Sequence, residues 1–221
     1  SGNVDTITPV ITVDALGLGN DSTPVISGTS TEPAGTVINI VITDSNGDEH
    51  PITATVDANG DWQATSLELP DGSYNVQASI TDDAGNTGGA TQTGSLDTLA
   101  PTLTLDTVGA TNNSTPTISG TSNAPVGTVI TINVTDADNT ETFTATVQAD
   151  GSWSADVPNA LTDGPLTIEA SVSDSAGNTT TLSENATLNT TAPSISINAL
   201  VDTNDTTPEI RGTSDAADGT T

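Results

Sequence analysis

The segment Ser22-Thr23-Pro24-Val25-Ile26-Ser27-Gly28-Thr29-Ser30 returns at 114–122 and again at 206–214, each copy 92 residues after the last. Asp5-Thr6-Ile7-Thr8-Pro9 reappears at 97–101 and 189–193, and the turn Thr81-Asp82-Asp83-Ala84-Gly85-Asn86-Thr87 at 173–179, all at the same offset. A fixed period of this length marks an array of like units, each a fold of its own stacked on the next. It divides the chain into one unit over 5–96, a second over 97–188 and the beginning of a third over 189–221. A single-copy active site fits poorly in a chain whose second unit rebuilds the first, so repetition itself points to a structural or interaction role.

Charge narrows the partners. The chain has 29 acidic residues, a single arginine (Arg211) and no lysine, for a formal charge of -28. Such a polyanion repels nucleic acid and anionic membrane, and it attracts cations. High charge with 32% apolar residues also suits a disordered chain, but the pattern argues for folding. Val37-Ile38-Asn39-Ile40-Val41-Ile42-Thr43 and Tyr74-Asn75-Val76-Gln77-Ala78-Ser79-Ile80 alternate with period two. The second unit keeps the phase in Ile130, Ile132 and Val134 and in Leu166, Ile168, Ala170 and Val172.

Cysteine is absent, which excludes a disulfide framework and a thiolate metal site. No run of 18 apolar residues and no charged-then-apolar leader is present, so no membrane span or N-terminal export signal is expected and the chain reads as an interior piece.

One unit offers seven strand candidates, near 9–16, 24–30, 37–44, 51–58, 61–67, 73–81 and 87–96. They are separated by turn sequences such as Asn46-Gly47, Asn59-Gly60 and Asp71-Gly72. No segment has a helical period. Seven short antiparallel strands in about 92 residues predict an all-β fold, two packed sheets of the immunoglobulin type, arranged end to end. The inward phase falls on Ile11, Val13, Ile26, Ile38, Ile40, Ile42, Ile52, Ala54, Val56, Trp62, Tyr74, Val76, Ala78 and Ile80, with Trp153 in place of Trp62 in the second unit.

Laid antiparallel, the strands send the acidic residues to their ends. Asp5, Glu32, the 57–61 turn and Asp82, Asp83 and Asn86 fall at the N-terminal pole of the first unit. Asp14, Asn20, Asp21, the 44–49 turn, Glu68 and Asp71 fall at its C-terminal pole, with Asp106 as the second-unit counterpart of Asp14. Stacking brings that pole against Asp97, Asn123, Asp174 and Asn178. Calcium takes six to eight oxygen ligands, and a junction of this composition supplies them, which predicts a site there. At the next boundary Asn189 replaces Asp97, so a weaker site is expected. Glu32 is matched by Ala124, with Asn123 and Asp215 one position earlier, so the ligand from that loop shifts between junctions. Any one acidic loop taken alone reads as a solvated turn. That reading is preferred for Asp57-Ala58-Asn59-Gly60-Asp61, which becomes Gln148-Ala149-Asp150-Gly151-Ser152, and it competes with a calcium loop at Asp44-Ser45-Asn46-Gly47-Asp48.

Several motifs in order carry a resemblance: Asp-Thr-x-x-Pro at 5–9, Thr-Pro-x-Ile-x-Gly-Thr-Ser at 23–30, Asp150-Gly151-Ser152-Trp153, and Asp-x-Ala-Gly-Asn-Thr at 82–87. Together they resemble the bacterial Ig-like repeats in the extender regions of giant RTX-type, biofilm-associated adhesins. The resemblance implies a calcium-rigidified, monomeric rod that holds a distal binding domain away from a Gram-negative cell. It further implies secretion by a type I system whose signal is C-terminal. The partners it implies are neighbouring repeats of the same chain and calcium ions.

Enzymatic readings find little support. The one histidine, His50, has no counterpart in the second unit and is expected at the surface. The Gly-rich loops lack the lysine and helix start of a phosphate-binding loop. A glycan- or protein-binding module acting through its loops is the alternative, and it would favour exposed aromatics. Trp62, Tyr74, Phe143 and Trp153 are the only ones and all lie in core phase. The two strands of the third unit cannot bury a core alone and are expected to fray, dock or pair with a neighbour. That truncation is expected to belong to this piece of chain rather than to biology.

Overall fold

The structure is a computed structural model and describes residues 4–199 and 201–216. The end of the expected third unit, 217–221, lies outside the described residues. The first repeat contains β1 (Leu18–Gly19), β2 (Val25–Thr29), β3 (Val37–Thr43), β4 (Glu49–Thr55), β5 (Asp61–Thr65), β6 (Gly72–Thr81) and β7 (Thr87–Leu96). The second contains β8 (Ala110–Thr111), β9 (Thr117–Thr121), β10 (Val129–Thr135), β11 (Thr140–Thr146), β12 (Ser152–Asp156), β13 (Gly164–Ser173) and β14 (Thr179–Leu188). No helix occurs among the described residues.

Each repeat is a sandwich of two sheets. In the first, β1-β7-β6-β3-β4 form one sheet and β2-β5 the other; in the second, β8-β14-β13-β10-β11 face β9-β12. Alternation drives the packing: Ile38, Ile40 and Ile42 of β3 and Val76, Ala78 and Ile80 of β6 point inward and are buried, while their neighbours face water. Each repeat has its own apolar cluster. Of the expected core, Val13 and Ile52 are only half-buried and pack at its margin, while Leu69 and Leu96 join it from outside the expected set. All three of Trp62, Tyr74 and Trp153 are buried, with Phe143 packed partly exposed against the second core.

The first strand differs from expectation. Residues 10–14 bond to β2, through Thr12 N–H to Thr29 O (2.9 Å) and Asp14 N–H to Ser27 O (2.8 Å), and the chain then crosses to the other sheet. There β1 runs parallel to β7, with Leu18 opposite Ser95 and Gly19 opposite Leu96. Neither Gly17 nor Gly19 is sterically required there, since each has open space at its Cβ position, whereas Gly109, the counterpart of Gly17 in the second repeat, takes a φ of 66° that favours glycine.

The repeated Ile-Ser-Gly-Thr motif has a steric cause. A Cβ at Gly28 would overlap the Thr12 carbonyl and sit 2.8 Å from Cζ2 of Trp62; Gly120 stands in the same relation to Thr104 and Trp153. Only a hydrogen at that position lets the leading segment lie across β2 above the indole. Trp62 Nε1–H then donates to Thr29 O at 3.2 Å.

The two repeats match at an offset of 92 except between two loops. The β3–β4 turn occupies residues 44–48, but the β10–β11 turn only 136–139; the β5–β6 connection occupies 66–71, but its counterpart 157–163. One residue is lost from the first loop and regained in the second, which explains why Trp153 follows Trp62 by 91. The loops touch: Ser45 Oγ donates to Asp71 O (2.8 Å), and Thr162 N–H donates to Asp136 Oδ2 (2.8 Å).

Beyond the second repeat, β15 (Ile195–Ile197) and β16 (Gly212–Ser214) pair antiparallel. Ile195 and Ile197 are 81% and 71% exposed, so this ribbon has the register of a leading segment and second strand without the sheets that would cover it.

Tyr74 lies directly opposite Gly94, whose Cβ position its ring occupies, whereas the second repeat pairs Leu166 with Ala186. Gly94→Ala is expected to destabilise the first repeat by roughly 1–3 kcal/mol through overpacking. Adding Tyr74→Leu, which rebuilds the pair of the second repeat, is expected to recover most of that loss. Denaturant unfolding of the full chain checks both, and an unchanged midpoint for the single variant would show that the ring has another place to go.

Candidate functional site: the junction between repeats

The segment joining the sandwiches is held at both of its ends. Asp97 N–H donates to Gly19 O (3.0 Å) in the first repeat. Thr98 donates through both its N–H and its hydroxyl to Asp71 Oδ1, each at 2.9 Å. From the second repeat, Asn178 Nδ2 donates to Asp97 O (2.7 Å), Thr180 Oγ1 donates to Pro101 O (2.6 Å), and Asn123 Oδ1 accepts Thr102 N–H (2.7 Å). Leu99 N–H closes on Asp97 Oδ1 (3.2 Å) within the segment, and residue 101 is a proline with no N–H to satisfy. Both repeats therefore grip the connector's backbone. Asn20 also reaches across, its Nδ2 lying 3.6 Å from where a Cβ at Gly177 would stand.

The arrangement repeats. At the next boundary Asp163 Oδ1 accepts from Thr190 N–H (2.9 Å) and Oγ1 (2.8 Å), and Asn189 N–H donates to Thr111 O (2.9 Å). At the front of the first repeat Asn86 Nδ2 donates to Asp5 O (3.3 Å), as Asn178 does to Asp97.

Turn chemistry shapes the asparagines that reach the connector. Asp82 Oδ1 accepts from Ala84 N–H (2.9 Å) and Asn86 N–H (2.8 Å), while Oδ2 accepts Asn86 Nδ2 (2.7 Å). Asp174 and Asn178 repeat this geometry. The asparagine amide holds each carboxyl below the usual aspartate range, with backbone N–H groups adding to it and desolvation opposing. Gly85 and Gly177 close these turns at φ near 92° and 94°, a conformation open to glycine.

The residues expected to bind calcium are distributed unevenly. Asp5, Glu32, Asp82 and Asp83 line one cavity at the N-terminal pole with Pro9 and Thr31. Asn123 and Asn178 bond the connector that contains Asp97, and Asp174 holds Asn178 from behind. Asp14 and Asp106 lie away from the poles, each accepting a serine hydroxyl from the middle of a strand: Ser27 at 2.6 Å and Ser119 at 2.7 Å. The pole placement of Asp14 fails because the leading segment ends its pairing with β2 at that residue and goes on to cross the sandwich. Asp21 accepts Thr23 N–H and Oγ1 (both 2.9 Å) in a local turn, and Asn189 accepts Thr191 N–H (3.0 Å).

The donor set suits calcium in kind, since it is all oxygen and amide. Among the described residues no three carboxylate or imidazole groups converge, so a cation there would draw the rest of its oxygens from amides, backbone and water. Asp44 is likewise engaged within its own hairpin, accepting Asn46 N–H (2.8 Å), Asp48 N–H (3.0 Å) and His50 Nε2 (2.9 Å). His50 is therefore half-buried against that carboxylate rather than free at the surface.

Asp71, which fixes the connector from behind, falls at the C-terminal pole in the sequence without a stated role, and its counterpart Asp163 is not among the residues expected to matter. The detectable signal was an aspartate-glycine pair followed 27 residues later by the threonine of the Asp-Thr or Asn-Thr boundary, in both repeats.

Asp71→Ala is expected to widen the distribution of inter-repeat distances, measured between spin labels on the two sandwiches, without shifting the thermal midpoint of either repeat. An unchanged distribution would remove Asp71 from the clamp. The Thr190 N–H, then its hydroxyl, holds the Asp163 carboxyl below the usual range. A depressed folded-state value stabilises the clamped form above the unfolded value, and that stabilisation is lost as pH falls through the folded one. Scattering profiles are thus expected to stay constant from neutral pH down to about pH 4 and to broaden only below it.

A family model described as bacterial Ig-like domain matches residues 8–98 and 102–191. Among solved structures, the chain is similar to a tetra-tandem repeat in the extending region of a large adhesion protein, with 34% identity over 94% of this chain and 56% of that one and a TM-score of 0.39. It is also similar to a Ca2+-stabilised adhesin that helps an Antarctic bacterium reach out and bind ice, with 26% identity over 88% of this chain and 53% of that one and a TM-score of 0.43. The chain spans about half the length of these two. No curated protein matches it. With the family model covering both sandwiches, the chain belongs to the bacterial Ig-like domain family, in two tandem copies.

Proposed function

We propose that the chain is an extender segment of a bacterial surface adhesin, with repeats over 5–96 and 97–188 and the start of another over 189–221. Its work is to set distance and direction: it holds a distal binding domain away from the cell, for adhesion and biofilm formation. The observation that carries this reading is the connector at 97–102, which both repeats hold by hydrogen bonds at Asp97, Thr98, Pro101 and Thr102. Ten-residue strands such as β6 and β7 add about 33 Å per repeat at about 3.3 Å per residue. An extracellular place on a Gram-negative cell, reached by type I secretion, belongs to the same proposal, as does a monomeric state.

Calcium is its second element. At the boundary of the two repeats, Asp97, Asn123, Asp174 and Asn178 would supply carboxylate and amide oxygens, with further ligands from backbone and water. Asp5, Glu32, Asp82, Asp83 and Asn86 would do so at the front of the first repeat. The ion would neutralise neighbouring carboxylates and stiffen a junction that direct hydrogen bonds already orient. Support comes from the recurrence of an all-oxygen donor set one repeat apart.

The role is structural rather than catalytic, and His50 is engaged by Asp44 rather than poised in a cleft. Trp62, Tyr74 and Trp153 are buried and Phe143 lies within β11 against the second core, so no aromatic among the described residues stands on a loop to receive a ligand.

Small-angle X-ray scattering in about 5 mM calcium and then in excess EGTA tests both elements. A long, narrow distance distribution in calcium that broadens in EGTA is the expected result. The same long profile in both buffers would keep the rod and remove the ion, while a broad, compact profile in both would sink the extender reading.

A further inference from the structure

The five-stranded sheet of the second repeat ends at β11, and no strand pairs with its far side. The bonds that flank its pairing with β10, Val147 N–H to Thr128 O and Asp136 N–H to Asn139 O (both 2.9 Å), fix the alternation. Odd-numbered residues of β11 exchange hydrogen bonds with β10, so Thr140, Thr142, Thr144 and Thr146 turn their backbone N–H and C=O groups to the open edge. All four are exposed. Thr142 Oγ1 donates to Asn133 Oδ1 (2.8 Å) and Thr140 Oγ1 lies 2.8 Å from Thr135 Oγ1, so the side chains hold the strand to its sheet and leave the backbone free. Gln148 Nε2 takes Thr146 O (2.9 Å), which limits the open run to 140–144.

The first repeat closes the same edge. Asp44 N–H to Asp48 O and Val56 N–H to Thr36 O (both 3.0 Å) set the phase of β4. Pro51, opposite Val41, stands where Thr142 stands opposite Asn133, and it has no N–H to offer. Proline within an edge strand is a recurring means of preventing edge-to-edge pairing. On the smaller sheet of the second repeat, β12 is only five residues long and its first N–H, that of Ser152, is bonded to Asp150 Oδ1 (3.0 Å).

The charge of the chain opposes contact between two copies, and it is weakest along β11. Residues 140–149 contain a single carboxylate, Glu141, whose Oε2 accepts Asn159 Nδ2 (3.0 Å). An antiparallel pairing centred on Thr142 uses the open run and nothing else: Thr142 meets Thr142 of a second copy, and Thr140 meets its Thr144. The edge is therefore complementary to itself, as a twofold contact requires. The same register sets each Glu141 opposite Phe143 of the other copy rather than opposite another carboxylate. A strand of a different protein would find the same edge without this symmetry.

We propose that β11 is a homophilic edge, through which two copies of the chain join by antiparallel β11–β11 pairing and merge the five-stranded sheets of their second repeats into one. A pairing this short buries little surface and makes a weak contact, so the chain is a monomer when dilute and pairs where copies are crowded. The edge belongs to the fold and does not depend on the extender reading, which adds only a place where copies lie side by side.

Sedimentation equilibrium of the full chain at physiological salt, from dilute solution to the highest soluble concentration, tests this. The mass of the parent is expected to rise toward that of a dimer. Thr142→Pro gives the second repeat the proline of the first and loses no backbone bond to β10, because that N–H faces outward. It is expected to stay monomeric with little change in thermal midpoint, whereas Thr142→Val, which keeps the N–H and removes the hydroxyl, is expected to pair as the parent does. A parent that stays monomeric throughout, or a Thr142→Pro chain that associates as strongly as the parent, overturns the proposal. The absence of native cysteine allows an arm without proline. Thr142→Cys lies on the twofold axis and is expected to give a disulfide-linked dimer on mild oxidation. Two Thr144→Cys residues would stand four positions apart, about 13 Å at about 3.3 Å per residue, beyond disulfide reach, and are expected to remain unlinked. Equal cross-linking at both positions signals chance collision and overturns the pairing. A chain that failed to scatter as a rod would leave each of these results unchanged.

Discussion

A chain with 29 carboxylates and one arginine has almost no cation with which to pair them, and the structure rests on how it satisfies them instead. Among the described residues Arg211 pairs with Glu209, and Asp44 lies in hydrogen-bond contact with a ring nitrogen of His50. Elsewhere the partners are dipoles: backbone N–H groups, hydroxyls and side-chain amides. This places aspartate where backbone donors are otherwise unpaired, in turns and at the ends of sheets. The junction is an extension of that local rule across a boundary. Asp71 accepts the N–H and hydroxyl of Thr98 as Asp21 accepts those of Thr23 two residues away. The same chemistry that closes a turn within a repeat thus fixes the next repeat in place.

The interior of each sandwich is apolar despite a low overall hydrophobic content, because carboxylates within strands, such as Asp156 and Glu169, take the outward positions of the alternation. Ile and Val in alternation fill both cores, and the aromatic rings lie where the backbone comes closest to them. Trp62 under Gly28 and Tyr74 on Gly94 both depend on a missing Cβ. The second repeat keeps the first of these arrangements and replaces the second by leucine on alanine. The indole therefore belongs to the architecture of the repeat, and the phenol is one of two ways to fill a corner.

Much of this was legible in the sequence because period-two alternation and glycine-bearing turns are local signals. Strands β6 and β7 fell within a residue of their expected limits, and the inward phase of β3 and β6 held throughout. The split of the leading segment between sheets was not legible, since what decides it is a partner strand some seventy-five residues away, read from the pairing of Leu18 with Ser95. The acidic poles were legible as a grouping but not as bonds. Asp14 and Asp21 look alike in sequence, yet one is drawn to a serine in the middle of β2 and the other closes its own turn. Asp71 drew no functional expectation because its partner, Thr98, becomes adjacent only when β6 and β7 return the chain to the same pole.

The exchange of one residue between two touching loops bears on how such arrays change over time. The β3–β4 turn and the β5–β6 connection meet at the same pole, and what the second repeat lacks in one it has in the other. An insertion within a strand would turn every later side chain to the wrong face. In these loops the change renumbers β11 and β12 by one position without turning their side chains to the other face, the second loop restores the count before β13, and the aspartate ahead of that strand still meets its threonine. Copies can therefore drift in sequence and even in local length while the pitch from one unit to the next stays constant.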